Sequence, residues 1–285
     1  MALEFMLAPL AGSLLLIGIM VYFGIHVIER EIIFIDIALA QIAALGTAVS
    51  LVLNVSSGDP HQHGEHDSNS VLAYVFCVLA AWIFTLFKDK KIRVPLEAFI
   101  GIAYAVATTS AVIILDKGAG SDVHIHDMLV GSILWITWPQ VIRLLVVVTA
   151  VGAFHYLFRY KFKTLTTSYK SGDAALKNPR LWDFLFYSTF GIVIVEAVSV
   201  GGILTIFAFL IIPASISALF AKRWTQRIIT GLLAGGLATF SGLYLSWVMD
   251  VACSPAIILF LGLFLLISVL IRTVMKAASR RAGRA

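Results

Sequence analysis

Apolar runs of roughly 17–25 residues, the length a helix needs to cross a bilayer, recur along this chain at 5–27, 32–54, 71–87, 96–115 and 139–158. Four more fall at 184–199, 202–221, 228–249 and 255–272. Short polar or basic connections separate them. The stretch 184–221 is one apolar run broken only by Val200-Gly201-Gly202. It reads as two short helices or as one irregular segment, which gives nine or eight membrane helices. The pattern predicts an all-α polytopic membrane protein, a single transmembrane domain over 1–285.

Composition agrees. Residues of the set AVILMFWYC make up 60% of the chain and charged residues 13%, against about 45–50% and about 25% in a soluble domain. The mean hydropathy is +0.97. Cytosolic enzymes, disordered chains and disulfide scaffolds are excluded. Cys77 and Cys253 lie in or beside apolar runs and imply no disulfide framework. Glu4 stands where a signal peptide would carry basic residues, and 5–27 is long enough to span, so no cleavable leader is expected.

The net charge of +5 and pI near 9.2 do not point to nucleic acid, because of where the charges fall. Segments 88–93, 159–180, 222–227 and 272–285, with Arg30, hold 19 of the 21 Lys and Arg residues. The alternate connections, 55–70, 116–137, 199–202 and 250–254, contain only Lys117. The positive-inside rule puts the first set, and the basic tail 273–285, in the cytoplasm. Nine helices then require an external N-terminus.

Candidate chemistry sits in three places. The external loop 54–70, NVSSGDPHQHGEHDSNS, gathers His61, His63, Glu65, His66 and Asp67. A second external cluster holds Asp122, His124, His126 and Asp127. Imidazole with carboxylate is the ligand set of zinc and its first-row neighbours, and solvated polar loops are the plainer alternative. Within apolar segments, Asp36, Gln41 and Glu196 are costly groups that call for a function. Asp36 and Gln41 are five residues apart, so on a straight helix they point about 140° apart and make no joint face. Snorkelling or helix capping would account for Asp36 equally, and a helix-end position for Glu196. Asp250 reads as interfacial. Arg143 is placed to neutralise one of these acids.

The third place is the longest inner loop, 161–183. Ser171-Gly172-Asp173 offers a helix start, Ala174 to Lys177 a single turn, and Asn178-Pro179 a stop. Such a short helix on the inner surface suits docking of a partner subunit. Gly231 and Gly235 form a G-x-x-x-G pair that permits close helix approach. The chain has no G-x-x-x-x-G-K-[ST], H-E-x-x-H or G-x-S-x-G, so it carries no P-loop and no recognisable hydrolase motif.

Three segments carry a resemblance: Phe34 to Gly46, Glu196 to Leu219 with VGGILTIFAFLIIPASISAL, and GLYLSWVMDVACSPAIIL. In this order, with a basic inner loop before the second, they resemble the integral-membrane permease of the metal (zinc, manganese, iron) ABC importers over roughly 8–272. The resemblance implies a type II importer architecture, a homodimeric or heterodimeric permease, and a cytoplasmic ABC ATPase docking on the short helix within 161–183. It also implies a periplasmic or lipoprotein metal-binding protein that delivers the ion. The family pattern on the second helix is Asp followed four residues later by His. Anchored on Asp36, that His position is Ala40; anchored on Ala38-Leu39-Ala40 and Gly46, it is Gln41, with Ile37 at the Asp position. Either register loses the imidazole.

The expectation is therefore a non-enzymatic permease of an ATP-driven divalent metal importer in the bacterial inner membrane, with zinc favoured. Asp36, Gln41 and Glu196 would line the path, and His61, His63, His66, His124, His126 and Asp127 would meet metal outside. Asp173, Ala174, Leu176 and Lys177 would couple to the ATPase. The ion is cargo, and no tightly bound cofactor is expected. The rival is a proton-coupled secondary transporter working through Asp36 and Glu196. A third reading, a metalloenzyme built on His124, His126 and Asp127, has no third embedded histidine.

Overall fold

The structure is a computed structural model in which the described residues are 2–56, 65–87, 94–115, 133–171 and 176–282. Among them the chain forms ten α-helices: α1 Ala2–Arg30, α2 Ile35–Ser56, α3 Glu65–Phe87, α4 Leu96–Leu115, α5 Trp138–Leu157, α6 Arg159–Ser171, α7 Pro179–Gly201, α8 Ile203–Phe220, α9 Trp224–Met249 and α10 Cys253–Ala282. A 3-10 turn at Ile133–Trp135 precedes α5. Helices are the expected answer, since a lipid-embedded backbone must satisfy its own N–H and C=O groups.

Eight of these helices, all but α3 and α6, are long and apolar enough to cross a membrane. The apolar part of α3, Val71–Phe87, is about 26 Å long, at the lower end of the spanning range. It runs antiparallel to α2: Leu72 and Ala73 lie against Gly46, and the Cys77 thiol points at the Leu39 carbonyl 3.5 Å away. Each of the nine apolar runs is thus helical. The doubtful stretch 184–221 resolves into two helices because Gly202, at φ 74° and ψ 159°, takes a conformation open essentially to glycine alone.

Between membrane helices, association rests on close van der Waals packing rather than on the hydrophobic effect. The G-x-x-x-G pair supplies it. A Cβ at Gly231 would meet Val21 at 2.6 Å, and one at Gly235 would meet Ile17 at 2.8 Å, with Pro213 of α8 behind both. This stripe clamps α9 onto α1 and α8. Helix α2 is the inner element, packed by α3, α4, α7 and α8. Ile102 of α4, Val146 of α5, Leu237 of α9 and Leu270 of α10 face outward and exposed, as apolar side chains do where lipid is the solvent.

Helix ends sort into two levels. Glu29 pairs with Arg227 and Arg30 with Asp183, which puts the ends of α1, α7 and α9 at one level, here the basic end. At the other, Gly12 and Gly201 both approach the segment Ile133–Ile136. An aromatic cluster fills the basic end: Phe23, Phe162, Phe186, Phe190 and Trp182 around His155, with Phe162 stacked on the imidazole at 4.1 Å.

One expectation for the inner loop needs correction. Its described helix is α6, Arg159–Ser171, whereas 172–175, with the start of the expected turn, lie outside the described residues. Leu176 and Lys177 stand in a bend, and Asn178 is the N-cap of α7 with Pro179 in its first turn, so this Asn-Pro starts a helix. Phe162, Leu165, Thr166 and Tyr169 form the buried or half-buried stripe of α6, while Arg159, Tyr160, Lys161 and Lys163 are exposed. The spacing of that stripe is helical. Asp173 and Ala174 lie outside the described residues.

Candidate functional site

Asp36 occupies the first turn of α2, 2% exposed. The backbone amides of Asp36 and Ile37 approach its carboxyl, yet Oδ1 has no hydrogen-bond partner among the described residues. A buried carboxylate oxygen without a donor is costly and asks for an explanation. Gln41 is buried too, at 3% exposure. Both can be buried while pointing apart because α2 has neighbours on several sides. The two residues supply oxygen donors from the inner helix without forming a joint two-ligand face.

Glu196 is differently placed. It is 4% exposed. The Nε–H of Arg143 donates to its Oε2 at 2.9 Å, and the Tyr74 hydroxyl donates to Oε1. Each oxygen therefore has its own donor. The neutralising role open to Arg143 in the sequence falls on Glu196. Leu39 lies opposite Cys77 on the antiparallel α3. Gly191 lies against Cys77, so Asp36, three residues before Leu39, and Glu196, five beyond Gly191, stand on opposite sides of that level. They do not converge on one ion.

His61, His63, His124, His126 and Asp127 fall outside the described residues. His66 and Asp67 lie in the first turn of α3, and their side chains are likewise outside the description. Among the described residues no group of three or more His, Cys, Asp and Glu is placed to hold a metal.

Two networks at the basic end were not foreseen. The Nε–H of Arg30 donates to Thr166 Oγ at 2.9 Å, which leaves the threonine O–H to donate to Nδ1 of His26 at 2.7 Å. Arg30 Nη1 also donates to Asp183 at 3.3 Å, and the Tyr169 hydroxyl donates to the same oxygen at 2.8 Å. In the second network His155 joins Tyr22, at 3.0 Å from Nδ1, to Thr189, at 2.8 Å from Nε2. Both ring nitrogens of His155 are thereby engaged. The available signal was an ionisable residue inside an apolar run, the rule that had singled out Asp36.

The comparisons with known proteins come from three directions. The manganese import system permease protein ScaB of Streptococcus parasanguinis is 26% identical over 255 residues, covering 86% of this chain and 82% of its own. The manganese transport system membrane protein MntC of Listeria monocytogenes is 25% identical over 179 residues, 61% of each chain, so the match to this relative spans less than two thirds of its length. A probable iron transport system membrane protein of Haemophilus influenzae is 21% identical over 70% of each chain. Among solved structures, PsaBC from Streptococcus pneumoniae in complex with Fab superposes with a TM-score of 0.75 at 22% identity, over 93% of this chain and 90% of that one. That likeness establishes the fold. The family model for the ABC 3 transport family matches residues 2–272, and the chain belongs to that family.

Proposed function

We propose that this chain is the membrane-spanning permease subunit of an ATP-driven divalent metal importer, with manganese as its cargo. The observation that carries the reading is the family match over 2–272, nearly the whole chain. The chemistry of α2 supports the choice of metal. The sequence reading favoured zinc, whose preferred ligands are imidazole and thiolate. Asp36 and Gln41 offer only oxygen, the donor set of manganese, and ScaB and MntC are named for manganese.

In this reading Asp36 takes the ion as it passes α2, through Oδ1, which has no partner among the described residues. Gln41 contributes an amide oxygen further along. A cytoplasmic ABC ATPase, docked on the connection between α6 and α7, supplies the energy that this chain, lacking a P-loop, does not. A metal-binding protein outside the membrane delivers the ion, and a second permease protomer completes the path. The basic end faces the cytoplasm, by the distribution of Lys and Arg, and the C-terminus with it. The external histidines act as a weak capture surface at the mouth.

The rival, a proton-coupled carrier, needs Asp36 and Glu196 both free to exchange protons. The engagement of Glu196 with Arg143 and Tyr74 counts against it. The test is ⁵⁴Mn²⁺ accumulation in cells expressing this permease with its ATPase. Asp36→Asn, which keeps size and polarity but removes the charge, should abolish uptake while the protein still inserts. Uptake at the wild-type rate in that variant would remove Asp36 from the path, and uptake that persists without any ATPase would favour the carrier.

A further inference from the structure

The connection between α6 and α7 is flanked by Tyr169 on one side and Asp183 on the other. Both side chains meet at a single oxygen, where the Tyr169 hydroxyl donates to Asp183 Oδ1 at 2.8 Å and Arg30 Nη1 donates to the same atom at 3.3 Å. The Arg30 and Asp183 side chains are 0% and 1% exposed. The guanidinium carbon of Arg30 lies 3.8 Å above the Phe186 ring and 5.2 Å from that of Tyr169, while Nε–H holds Thr166 of α6. Helices α1, α6 and α7 thus converge on one cation.

Arg30 is also the last residue of α1. Five residues on, the chain has turned and begun α2. The turn is short and stiff: Glu31 has φ 58°, Ile32 N–H bonds back to Val27, and Ile35 N–H bonds to Ile32. Phe34 stacks on Phe207 of α8, the planes 4° apart. Asp36 follows directly. Only residues 31–35 separate Arg30 from Asp36, and these bonds tie them to α1.

A buried ion pair is an inefficient way to gain stability, since well-packed apolar replacements often serve as well or better. Its position suggests a different use. We propose that Arg30 is a positioning residue that ties both flanks of the α6–α7 connection to the start of α2, so that movement of that connection is passed to Asp36. The inference rests on the permease reading above, in which the ATPase docks on that connection.

The experiment uses membranes containing the permease co-expressed with its ATPase. It measures ⁵⁴Mn²⁺ uptake and ATP hydrolysis on the same preparation, along with the amount of inserted permease and the ATPase retained on it. Arg30→Lys keeps a cation near Asp183 but loses the hold on Thr166; Tyr169→Phe removes the hydroxyl that meets Asp183 and, at 3.0 Å, the Tyr187 hydroxyl. Uptake per ATP hydrolysed should fall by about two- to thirtyfold, the range of coupling changes for residues that touch neither ligand. Inserted protein, retained ATPase and hydrolysis itself should stay at wild-type levels. An unchanged ratio in both variants, or uptake that falls only in proportion to inserted protein, would show a merely structural pair and overturn the proposal. If Arg30→Lys does not insert, Tyr169→Phe decides. Wild-type membranes without ATP-driven uptake would overturn the permease reading and this inference with it.

Discussion

Replacing Arg143 by Met is the sharpest test of how Glu196 is held. Glu196 is 4% exposed and takes one donor on each oxygen, Arg143 Nε–H at 2.9 Å and the Tyr74 hydroxyl. Removing one partner from a fully buried ion pair costs about 3–5 kcal/mol, whereas an exposed pair contributes about 0.2–1 kcal/mol. The Arg143 side chain is 41% exposed, so solvent replaces part of what is lost and the cost should fall between, about 1–2 kcal/mol. Glu196→Gln keeps an oxygen for Tyr74 and removes the charge. It should therefore cost less in the Arg143→Met background than in the wild type. Equilibrium unfolding in mixed micelles with increasing SDS, applied to the wild type, both single variants and the double, yields the coupling directly. A coupling of about 1–2 kcal/mol is expected. Additivity within about 0.3 kcal/mol, the scatter of independent sites, would show that the pair does not form.

Two further outcomes follow from the same geometry. Gln41→His places imidazole on α2 about one and a half turns beyond Asp36, and zinc should then compete with ⁵⁴Mn²⁺ uptake at least about tenfold more effectively than in the wild type; unchanged competition would take Gln41 off the path. A cysteine introduced at position 63 should react with a membrane-impermeant maleimide applied to intact cells, against a low background because Cys77 and Cys253 are both buried. Labelling only after permeabilisation would reverse the assigned orientation.

Most of the membrane architecture was legible because burial in lipid leaves a coarse signature: long apolar runs separated by basic or polar connections. The break at Gly202 was visible as the Gly201-Gly202 pair within one long apolar run. The 140° between Asp36 and Gln41 followed from helix geometry alone, and both proved buried because α2 is enclosed, which no single-helix argument could tell. Helix α6 was missed for an identifiable reason. RYKFKTLTTSYKS is polar on average, so a search for apolar runs passes over it, yet Phe162, Leu165, Thr166 and Tyr169 recur at helical spacing. The buried networks of His26 and His155 depend on partners far away in sequence, Thr166, Tyr22 and Thr189, which no local pattern brings together. Only packing revealed that Arg30, counted among the charges that set orientation, points inward to Asp183 rather than to water.

The donor set bears on how the path must be built. Manganese accepts an octahedral shell of oxygens. Among the described residues, one protomer brings to the inner helix a carboxylate oxygen without a partner and, about 140° round the helix, an amide. That is too little to strip a hydrated cation, and Glu196, on the far side of the Leu39–Cys77 level, already has a donor on each of its oxygens. A sufficient shell therefore needs retained water, a second copy of α2, or both. Asp36 is 2% exposed on a helix enclosed by its own protomer's neighbours. A second copy of α2 would reach it only after the helices around α2 part, so water kept by the ion is the readiest completion of the shell.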